Sequence, residues 1–326
     1  LSNTISLVFD KKTFKLDAGF RHQLINLGTD RELPAAVGVV IPTENKENRL
    51  GAVGNLEIKL WDKVDVKSFL EYSNGKSFGN YLRSENLLKL EPIKGYILDA
   101  HVNFQSAIPS FNYLMNPSFY QNFNYNFSNA QNQSITEIGG KINLKWFDSS
   151  VFANYFRIDN FAYFGTDFLP KQSSETVNIS QIGGEATLNY WKLKFNTKLL
   201  FQSALSQKEL LPMPNFVGRL NVFYQSKAFK NAAEIQTGFK VYYFSKFKSR
   251  DYFPVLNEFV LSNSGTSIGG QPIADAYFNM KVKRMMIFAE AQHFNTTFMK
   301  NKSFTAPNYP IYDFRLNLGI VWYIFH

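Results

Sequence analysis

A two-residue alternation of apolar and polar side chains runs through almost the whole chain and is clearest at its end. From Tyr312 to Ile324 every even position is apolar or aromatic, and the odd positions begin with Asp, Arg, Asn and Gly. Successive side chains of a β-strand point to opposite faces, so this segment is expected to be a strand with one apolar face and one ionic face. Because the pattern returns in segment after segment, it predicts an all-β chain of long, two-faced strands.

Fifteen segments carry this alternation, and almost all of them place their charges on one face. They span 3–9, 14–24, 53–61, 64–72, 81–90, 96–105, 137–146, 152–160, 181–190, 192–202, 216–225, 234–243, 274–282, 287–292 and 312–324. In 152–160 the two faces are hard to tell apart, and the pattern favours an apolar face of Phe152, Phe156 and Ile158 opposite Arg157 and Asp159. Single-chain bacterial barrels have an even number of strands, so about sixteen or more are expected. We therefore expect one barrel domain over residues 1–326, with part of its wall supplied by residues before Leu1.

The connections separate a transmembrane β-barrel from a soluble sandwich, whose strands also alternate. Short connections fall at 10–12, 62–63, 91–95, 147–149, 191, 226–230 and 283–284, and long ones at 28–50, 73–80, 106–134, 166–178, 203–214, 246–270 and 299–310. Short turns at one end and long loops at the other are the layout of an up-and-down outer-membrane barrel. The apolar content of 45% fits as well, because only alternate residues of a barrel strand face lipid. The sequence therefore predicts an antiparallel up-and-down transmembrane β-barrel.

Aromatic residues at the strand ends support the membrane interpretation. The residues beside the short turns or the chain end include all four tryptophans, and they are Trp61, Trp146, Tyr190, Trp191 and Trp322. Tryptophan and tyrosine collect at membrane–water interfaces, whereas a soluble core would hold tryptophan in mid-strand. These five residues are therefore predicted to form an interfacial aromatic girdle.

The closing strand also matches, in its spacing, the insertion signal that outer-membrane barrels carry at their C-terminus. That signal has a polar residue, a spacer, Gly, two spacers, and then two apolar residues one position apart. Its counterparts here are Asn317, Gly319, Trp322 and Ile324, followed by Phe325 and then His326.

The ionic faces of the strands are the candidate functional surface, because in a barrel they enclose water and can remain hydrated. The residues predicted to line this lumen are Lys141, Lys145, Lys192, Lys194, Lys198, Arg219, Lys240, Lys281, Arg315, Asp99, Glu137, Glu185, Asp275, Glu290 and Asp313. Lys141, Lys145, Lys192, Lys194 and Lys198 form the clearest basic cluster, either as a solvated wall or as the origin of a weak anion preference. The net charge of +9 is spread singly along strands rather than in runs, so a nucleic-acid partner is not expected.

Signals for an enzyme, a cofactor or a metal are absent from the sequence. The chain has no Cys, which excludes disulfides and thiolate chemistry. Its four histidines are His22, His101, His293 and His326, and none has the spacing of a metal-binding motif. The Gly139-Gly140 and Gly183-Gly184 pairs lie in predicted strands with no helix after them, unlike phosphate-binding loops. We expect no catalytic residues, no cofactor and no metal.

Several motifs lie in about the last 60 residues. They are the segment 272–279 (PIADAYFN), the short turn Lys283-Arg284, the segment 288–295 (FAEAQHFN), and Tyr309-Pro310 leading into the strand 314–322. Together they resemble the Bacteroidota putative porin family. The resemblance implies an outer-membrane barrel with a pore role and supplies no catalytic residues. A Tyr-Pro pair before a Gly-containing closing strand also occurs in TonB-dependent receptors, so it does not separate the two families.

The sequence thus predicts a porin of the bacterial outer membrane that passes small polar solutes passively through a charged, water-filled lumen. The loops 28–50, 106–134 and 246–270 are expected to narrow the opening. Three alternatives stay open: a TonB-dependent-type active transporter barrel without its plug, a non-conducting barrel of a secretion or surface-lipoprotein complex, and an outer-membrane hydrolase. The expected partners are outer-membrane lipid and small polar solutes, with an oligomer or a lipoprotein or secretion partner left open.

Overall fold

One antiparallel sheet of fifteen strands dominates the computed structural model, which describes residues 1–28, 32–34, 40–61, 63–118 and 120–324. The wall strands are β1 (Ser2–Lys11), β2 (Phe14–Gly28), β3 (Glu44–Leu60), β4 (Val64–Ser73), β5 (Tyr81–Ile93), β6 (Tyr96–Ala107), β7 (Gln133–Leu144), β8 (Ser149–Asp159), β9 (Val177–Tyr190), β10 (Leu193–Ala204), β11 (Phe216–Ala228), β12 (Ala233–Phe244), β13 (Ile273–Val282), β14 (Met285–Gln292) and β15 (Arg315–Trp322). Each of the fifteen segments with apolar–polar alternation contributes one of these strands, which confirms the predicted fold class.

The topology is up-and-down throughout. Each wall strand from β2 to β14 pairs antiparallel with the wall strand before it and the wall strand after it in the chain. Such a meander gives all interior strands a partner on both sides, which a membrane-spanning sheet needs because lipid offers no hydrogen bonds. Strands β1 and β15 are the sheet edges, and within the described ranges no ladder joins one to the other.

The connections alternate in length as expected. At one end of the sheet, tight turns use left-handed backbone at Trp61 (φ 52°), Trp191 (φ 56°) and Lys283 (φ 50°). At the other end the wall strands are joined by 29–43, 74–80, 108–132, 160–176, 205–215, 245–272 and 293–314. Strand β3 begins at Glu44, earlier than the alternation indicated, so the first long connection is shorter than expected.

The long connections contain short elements of their own. The short strands are Leu33–Pro34, Val40–Ile41, Met115–Asn116, Tyr125–Asn126, Ala162–Phe164, Pro170–Gln172, Phe247–Lys248, Asp251–Phe253, Glu258–Val260, Ser267–Ile268, Phe304–Ala306 and Tyr309–Pro310. The helical turns are Phe111–Leu114, Gln121–Phe123 and Phe294–Thr297, and a further one, Trp146–Asp148, lies in a short connection. The short strands Leu33–Pro34 and Val40–Ile41 pair antiparallel with each other outside the wall, and 35–39 lie beyond the described residues.

The two faces of the wall differ in what they expose. On β2, the apolar face bears Leu16, Phe20 and Leu24, which are 40%, 81% and 42% exposed. The same face carries exposed Leu, Ile, Val and Phe side chains on strand after strand, including Val102, Ile138, Ile182 and Leu318. A water-soluble sandwich would bury these side chains in a central layer. Their exposure leaves a broad apolar surface that requires lipid.

Strand β8 corrects one expectation. Phe152 pairs with Lys141 and Ile158 pairs with Ile135, which places Phe152, Phe156 and Ile158 on the side of the charges. Arg157 lies on the opposite side of the strand. Partners in an antiparallel ladder share a face, so the register settles what the mixed composition of this strand left ambiguous.

Candidate functional site

The registers define a single ionic face across the wall, because directly paired residues lie on the same side of a sheet. The residues predicted to line the lumen that lie on this face are Asp99, Glu137, Lys141, Glu185, Lys194, Lys198, Arg219, Lys240, Asp275, Lys281, Glu290 and Arg315. Lys145 and Lys192 lie instead in short turns, and Asp313 lies in the last long connection. The wall therefore brings most of the predicted charges together and leaves three at its ends.

Ion pairs join the strands of the ionic face. Lys198 Nζ lies 2.5 Å and Lys141 Nζ 3.7 Å from the carboxylate oxygens of Glu185, and Lys240 Nζ lies 3.4 Å from Glu290 Oε1. These side chains keep between 24% and 53% of their surface exposed. Pairs that are this exposed stabilise a fold by only about 0–1 kcal/mol each. Their larger effect is on the electrostatic character of the face.

Charge of opposite sign is segregated around the ionic face. A concave region of about 610 Å³ on one part of the wall is lined by three carboxylates, one lysine and one histidine: Glu57, Glu85, Glu137, Lys67 and His101. His101 Nε2 lies 3.3 Å from Glu137 Oε1. A second concave region, of about 590 Å³, contains three cations and one carboxylate: Lys141, Lys198, Arg219 and Glu185. The face thus offers an acidic and a basic region side by side.

Near the long-loop end the ionic face becomes apolar, and a loop packs on it there. Ile158, Val177 and Ile179 are buried and share the face of Glu185. Leu211 and Met213, from the connection 205–215, pack against this cluster. That loop therefore folds toward the ionic side of the wall. It was not among the three loops expected to narrow the opening.

Three other long connections, 108–132, 160–176 and 245–272, fold together into a unit that we name the loop cap. Its buried core consists of Tyr125, Phe164, Leu256 and Val260. Phe164 is fully buried, and its ring stacks on Tyr113 with 4.7 Å between centroids. A four-stranded sheet joins two of the connections through a parallel contact between Phe164 and Val260. Two of the loops expected to narrow the opening belong to this cap.

Buried polar groups fix the geometry of the loop cap. The Arg250 guanidinium donates to the Leu210 carbonyl and lies 5.6 Å from the centre of the Phe161 ring. Burial lowers the pKa of Arg250, while Tyr113 and Glu258 act in the opposite direction. The cap is thereby tied to the loop 205–215, which itself packs on the ionic face.

Two tyrosines in the loop cap are shielded from water. The Tyr125 hydroxyl donates to the Asn112 carbonyl, and Asn112 Nδ2 donates to Glu258 Oε1 at 2.9 Å. Burial raises the pKa of both Tyr113 and Tyr125 above the ordinary tyrosine value. The folded cap therefore holds both phenols in the neutral form.

A buried ion pair holds the connection 74–80 against β3. Arg49 Nε donates to Glu47 Oε1 at 2.6 Å, and Glu47 Oε2 accepts the Phe78 amide at 2.8 Å. Arg49 Nη2 donates to the carbonyls of Phe78 and Gly79 at 2.6 and 2.8 Å. Among the described residues, no buried nitrogen or oxygen of either side chain lacks a hydrogen-bond partner, as a buried pair requires. We name this pair the loop clasp.

The five girdle residues all lie at the short-turn end of the wall. Trp61, Trp146, Trp191 and Trp322 are between 64% and 83% exposed, and Tyr190 is 71% exposed. Two of them make edge-to-face contacts with a second aromatic ring, Trp146 with Tyr96 and Trp191 with Tyr224. The wall therefore ends in a row of projecting aromatic side chains.

The residues of the predicted insertion signal occupy both faces of the closing strand. Asn317 and Gly319 pair with Glu290 and Phe288 on the ionic face. Trp322 ends β15 on the other face and Ile324 follows it, both exposed. Phe325 and His326 lie outside the described residues.

The histidines among the described residues make local polar contacts. His22 Nε2 lies 3.3 Å from Asn48 Oδ1. His293 is buried, and its Nδ1 lies 2.6 Å from the Tyr312 carbonyl. Among the described residues, no group of three His, Cys, Asp or Glu side chains could hold a metal ion. No helix in the same residues is long and apolar enough to cross a membrane.

Comparison with known sequences assigns the chain to a family. The sequence profile of the family described as "Putative porin" matches residues 1–326. The chain belongs to this putative porin family. Among curated proteins, none matches the chain. Family membership, together with the fold, places it in the outer membrane as a barrel of the transporter kind.

Solved structures resemble this family member in fold. The ferric enterobactin receptor PfeA of Pseudomonas aeruginosa has a TM-score of 0.69 at 13% identity, over 98% of this chain and 53% of the receptor. The siderophore receptor PirA of Acinetobacter baumannii gives 0.67 at 9% identity, over 98% and 53%. The FrpB iron transporter of Neisseria meningitidis gives 0.65 at 12% identity, over 98% and 54%. The chain spans about half the length of these structures, and the likeness concerns the fold alone.

Some features of the site escaped sequence reasoning. The ionic face carries apolar side chains, among them Phe152, Leu200, Val217 and Phe244, between its charged rows. The alternation marks charges well but does not distinguish an apolar residue on the inner face from one facing lipid. A sequence signal for the inward position of Phe152 was Gly183, which lies opposite Phe152 and leaves room for its ring.

Proposed function

We propose that this porin-family barrel forms a passive pore for small polar solutes, which cross the outer membrane along its ionic face. The observation that carries the proposal is the contrast between the two faces. The apolar face exposes large hydrophobic side chains, as lipid contact requires, while the charged pairs of the opposite face keep about a quarter to half of their surface open. Charges this exposed need water beside them, and a water-filled interior is what a pore needs.

The loops and partners complete the proposal. The loop cap and the connection 205–215 narrow the mouth of the pore at the long-loop end, which filters solutes by size. Lipid contacts the apolar face and the aromatic girdle, and the chain performs no catalysis. The motifs in 272–279 and 288–295 support a source among the Bacteroidota.

Introduced cysteines would test the pore directly, since the chain has none of its own. Asn103 lies on the ionic face and pairs with Glu137, whereas its neighbour Val102 is 49% exposed on the apolar face. Asn103→Cys and Val102→Cys would be made in the full-length protein and reconstituted in a planar bilayer. We expect stepwise ohmic currents from both variants.

The two variants should then respond differently to a charged, water-soluble thiosulfonate. The reagent should reduce the current of Asn103→Cys and leave that of Val102→Cys unchanged, while a lipophilic maleimide should label Val102→Cys. Equal block of both variants would contradict the assignment of the faces. Absence of current in every salt would refute the pore and favour a non-conducting barrel of a secretion or lipoprotein complex.

A second function is favoured by one specific observation, the folding of three long connections into the loop cap. A cap with its own aromatic core can close over a bound solute, as in a substrate-specific, energy-coupled transporter. In that case the full-length protein would show no steady current without cargo and an energy source. A steady ohmic current from the intact protein would exclude it.

A further inference from the structure

Two adjacent rows of the ionic face differ in chemistry. The first, which we name the charged row, crosses β8 to β12 through directly paired residues: Ser150, Glu185, Lys198, Arg219 and Tyr242. The next row toward the long loops, the apolar row, contains Phe152, Gly183, Leu200, Val217 and Phe244. Rows on one face of a sheet are two residues apart along each strand, which is about 7 Å.

Positive charge dominates the charged row and its edge. Glu185 is contacted by both Lys198 and Lys141, so one carboxylate faces two ammonium groups. Arg219 pairs directly with Lys198 and adds a third cation. Arg219 Nη2 donates to Asn196 Oδ1 at 2.7 Å, while its Nε is buried without a hydrogen-bond partner among the described residues. Asp99 is the ladder partner of Lys141, so three cations face two carboxylates and leave an excess of one positive charge that an anion would neutralise.

The apolar row forms a hydrophobic floor beside these cations. A Cβ on Gly183 would lie 2.6 Å from the Phe152 ring, so the absence of a side chain lets that ring lie across β9. The charged row and the four side chains of the apolar row line the same concave region of about 590 Å³. Sites for small organic ligands commonly measure about 300–1,000 Å³ and combine apolar walls with a few placed polar groups.

We propose that this region is a binding site for organic anions that have an apolar body, such as aromatic carboxylates. The carboxylate lies on Lys198 and Arg219, and the apolar body lies on Phe152 and Leu200. The inference rests on the proposed function, because it needs an ionic face open to water. It adds a ligand class to that function and a reason for hydrophobic side chains between charged ones.

Three probes of matched size or charge would test the site by isothermal titration calorimetry on the full-length protein in lipid nanodiscs. The first, 3-phenylpropionate, has both the carboxylate and the apolar body. Acetate has the carboxylate without the body, and 2-phenylethylammonium has the body with a positive charge. We expect 3-phenylpropionate to bind at least about tenfold more tightly than either of the other two. Equal binding of 3-phenylpropionate and 2-phenylethylammonium would overturn the proposal.

Substitutions would then assign the two rows. Lys198→Gln should weaken 3-phenylpropionate binding about tenfold, and Phe152→Ala should weaken it about fivefold. The matched control is Lys281→Gln, which removes the same charge from β13 on the same face. If Lys281→Gln weakened binding as much as Lys198→Gln, the effect would be the general field of the wall, and the site would be refuted.

The conductance of the same preparation keeps this inference separate from the pore. A conducting protein that shows no preference among the three probes overturns the binding site alone. A non-conducting protein that still binds them in the expected order overturns the pore and supports the site. Heat-dependent migration on gels, a property of intact barrels, would confirm that each variant is folded before its binding is compared.

Discussion

Replacing Phe164 by alanine is expected to open the loop cap while leaving the wall folded. The Phe164 side chain is fully buried, with ring centroids 4.7 Å from Tyr113 and 5.9 Å from Tyr125. Truncating a buried phenylalanine costs about 3–5 kcal/mol. At tenfold per about 1.4 kcal/mol, the open population of the cap would rise roughly 100- to 4,000-fold. No wall ladder includes Phe164, so the barrel should keep its stability.

Limited proteolysis of the protein in nanodiscs measures this opening, because cleavage tracks the open population when opening and closing are fast. The Phe164→Ala cap should be cut far faster than the wild-type cap, and the fragments should end within 108–132, 160–176 or 245–272. Phe259→Ala is the matched control, since Phe259 lies in the same small sheet but is 45% exposed. Equal cleavage of the two variants, or loss of the heat-resistant barrel in Phe164→Ala, would refute the reasoning.

Three further predictions concern the cap, the clasp and the girdle. Burial raises the pKa of the Tyr125 phenol above its unfolded value of about 10. The contribution of the neutral phenol to cap stability is therefore complete below about pH 10 and is lost as the pH rises further. Tyr125→Phe removes the ionisable group and should lessen the alkaline loss of near-ultraviolet circular dichroism. Glu47→Gln breaks the buried loop clasp and should lower the local stability of the connection 74–80 by about 3–5 kcal/mol, which faster amide exchange at Phe78 would show. The control Glu44→Gln breaks an exposed ion pair and should change the exchange little. Lipids brominated near the headgroup should quench the fluorescence of all four tryptophans, and bromine at the acyl-chain ends should quench it less.

The wall could be predicted from sequence because lipid imposes a strict rule on every strand that crosses it. A charge on the lipid-facing side costs about 2–4 kcal/mol at the bilayer midplane, so charged residues near the middle of a strand are confined to the other face. Strands such as β6 and β10 therefore show clean alternation, and their bounds are close to those read from sequence. The turns were predictable for the same reason, since the alternation stops where the strand leaves the membrane.

The loop cap could not be predicted, because nothing periodic marks it. Its core joins Tyr125, Phe164 and Leu256, which come from three connections far apart in the chain. The contacts depend on how the wall places the ends of those connections. The composition of the loops shows aromatic residues but not which of them meet. The loop clasp has the same origin, because Glu47 accepts amides from a connection about thirty residues away.

Strand β8 shows why the inner face is harder to predict than the outer one. The rule imposed by lipid excludes charges from the outer face, but water in the interior excludes nothing, so Phe152 and Phe156 can lie beside Lys141. On the outer face, Arg157 and Asp159 pair at 3.2 Å at the long-loop end of the strand, where the chain leaves the apolar layer. In such a strand, a charge near the middle marks the inner face, whereas a charge near the end can lie on either face. An apolar side chain on the inner face is therefore free of any lipid requirement, and that freedom lets the wall place hydrophobic contacts for a solute beside its charges.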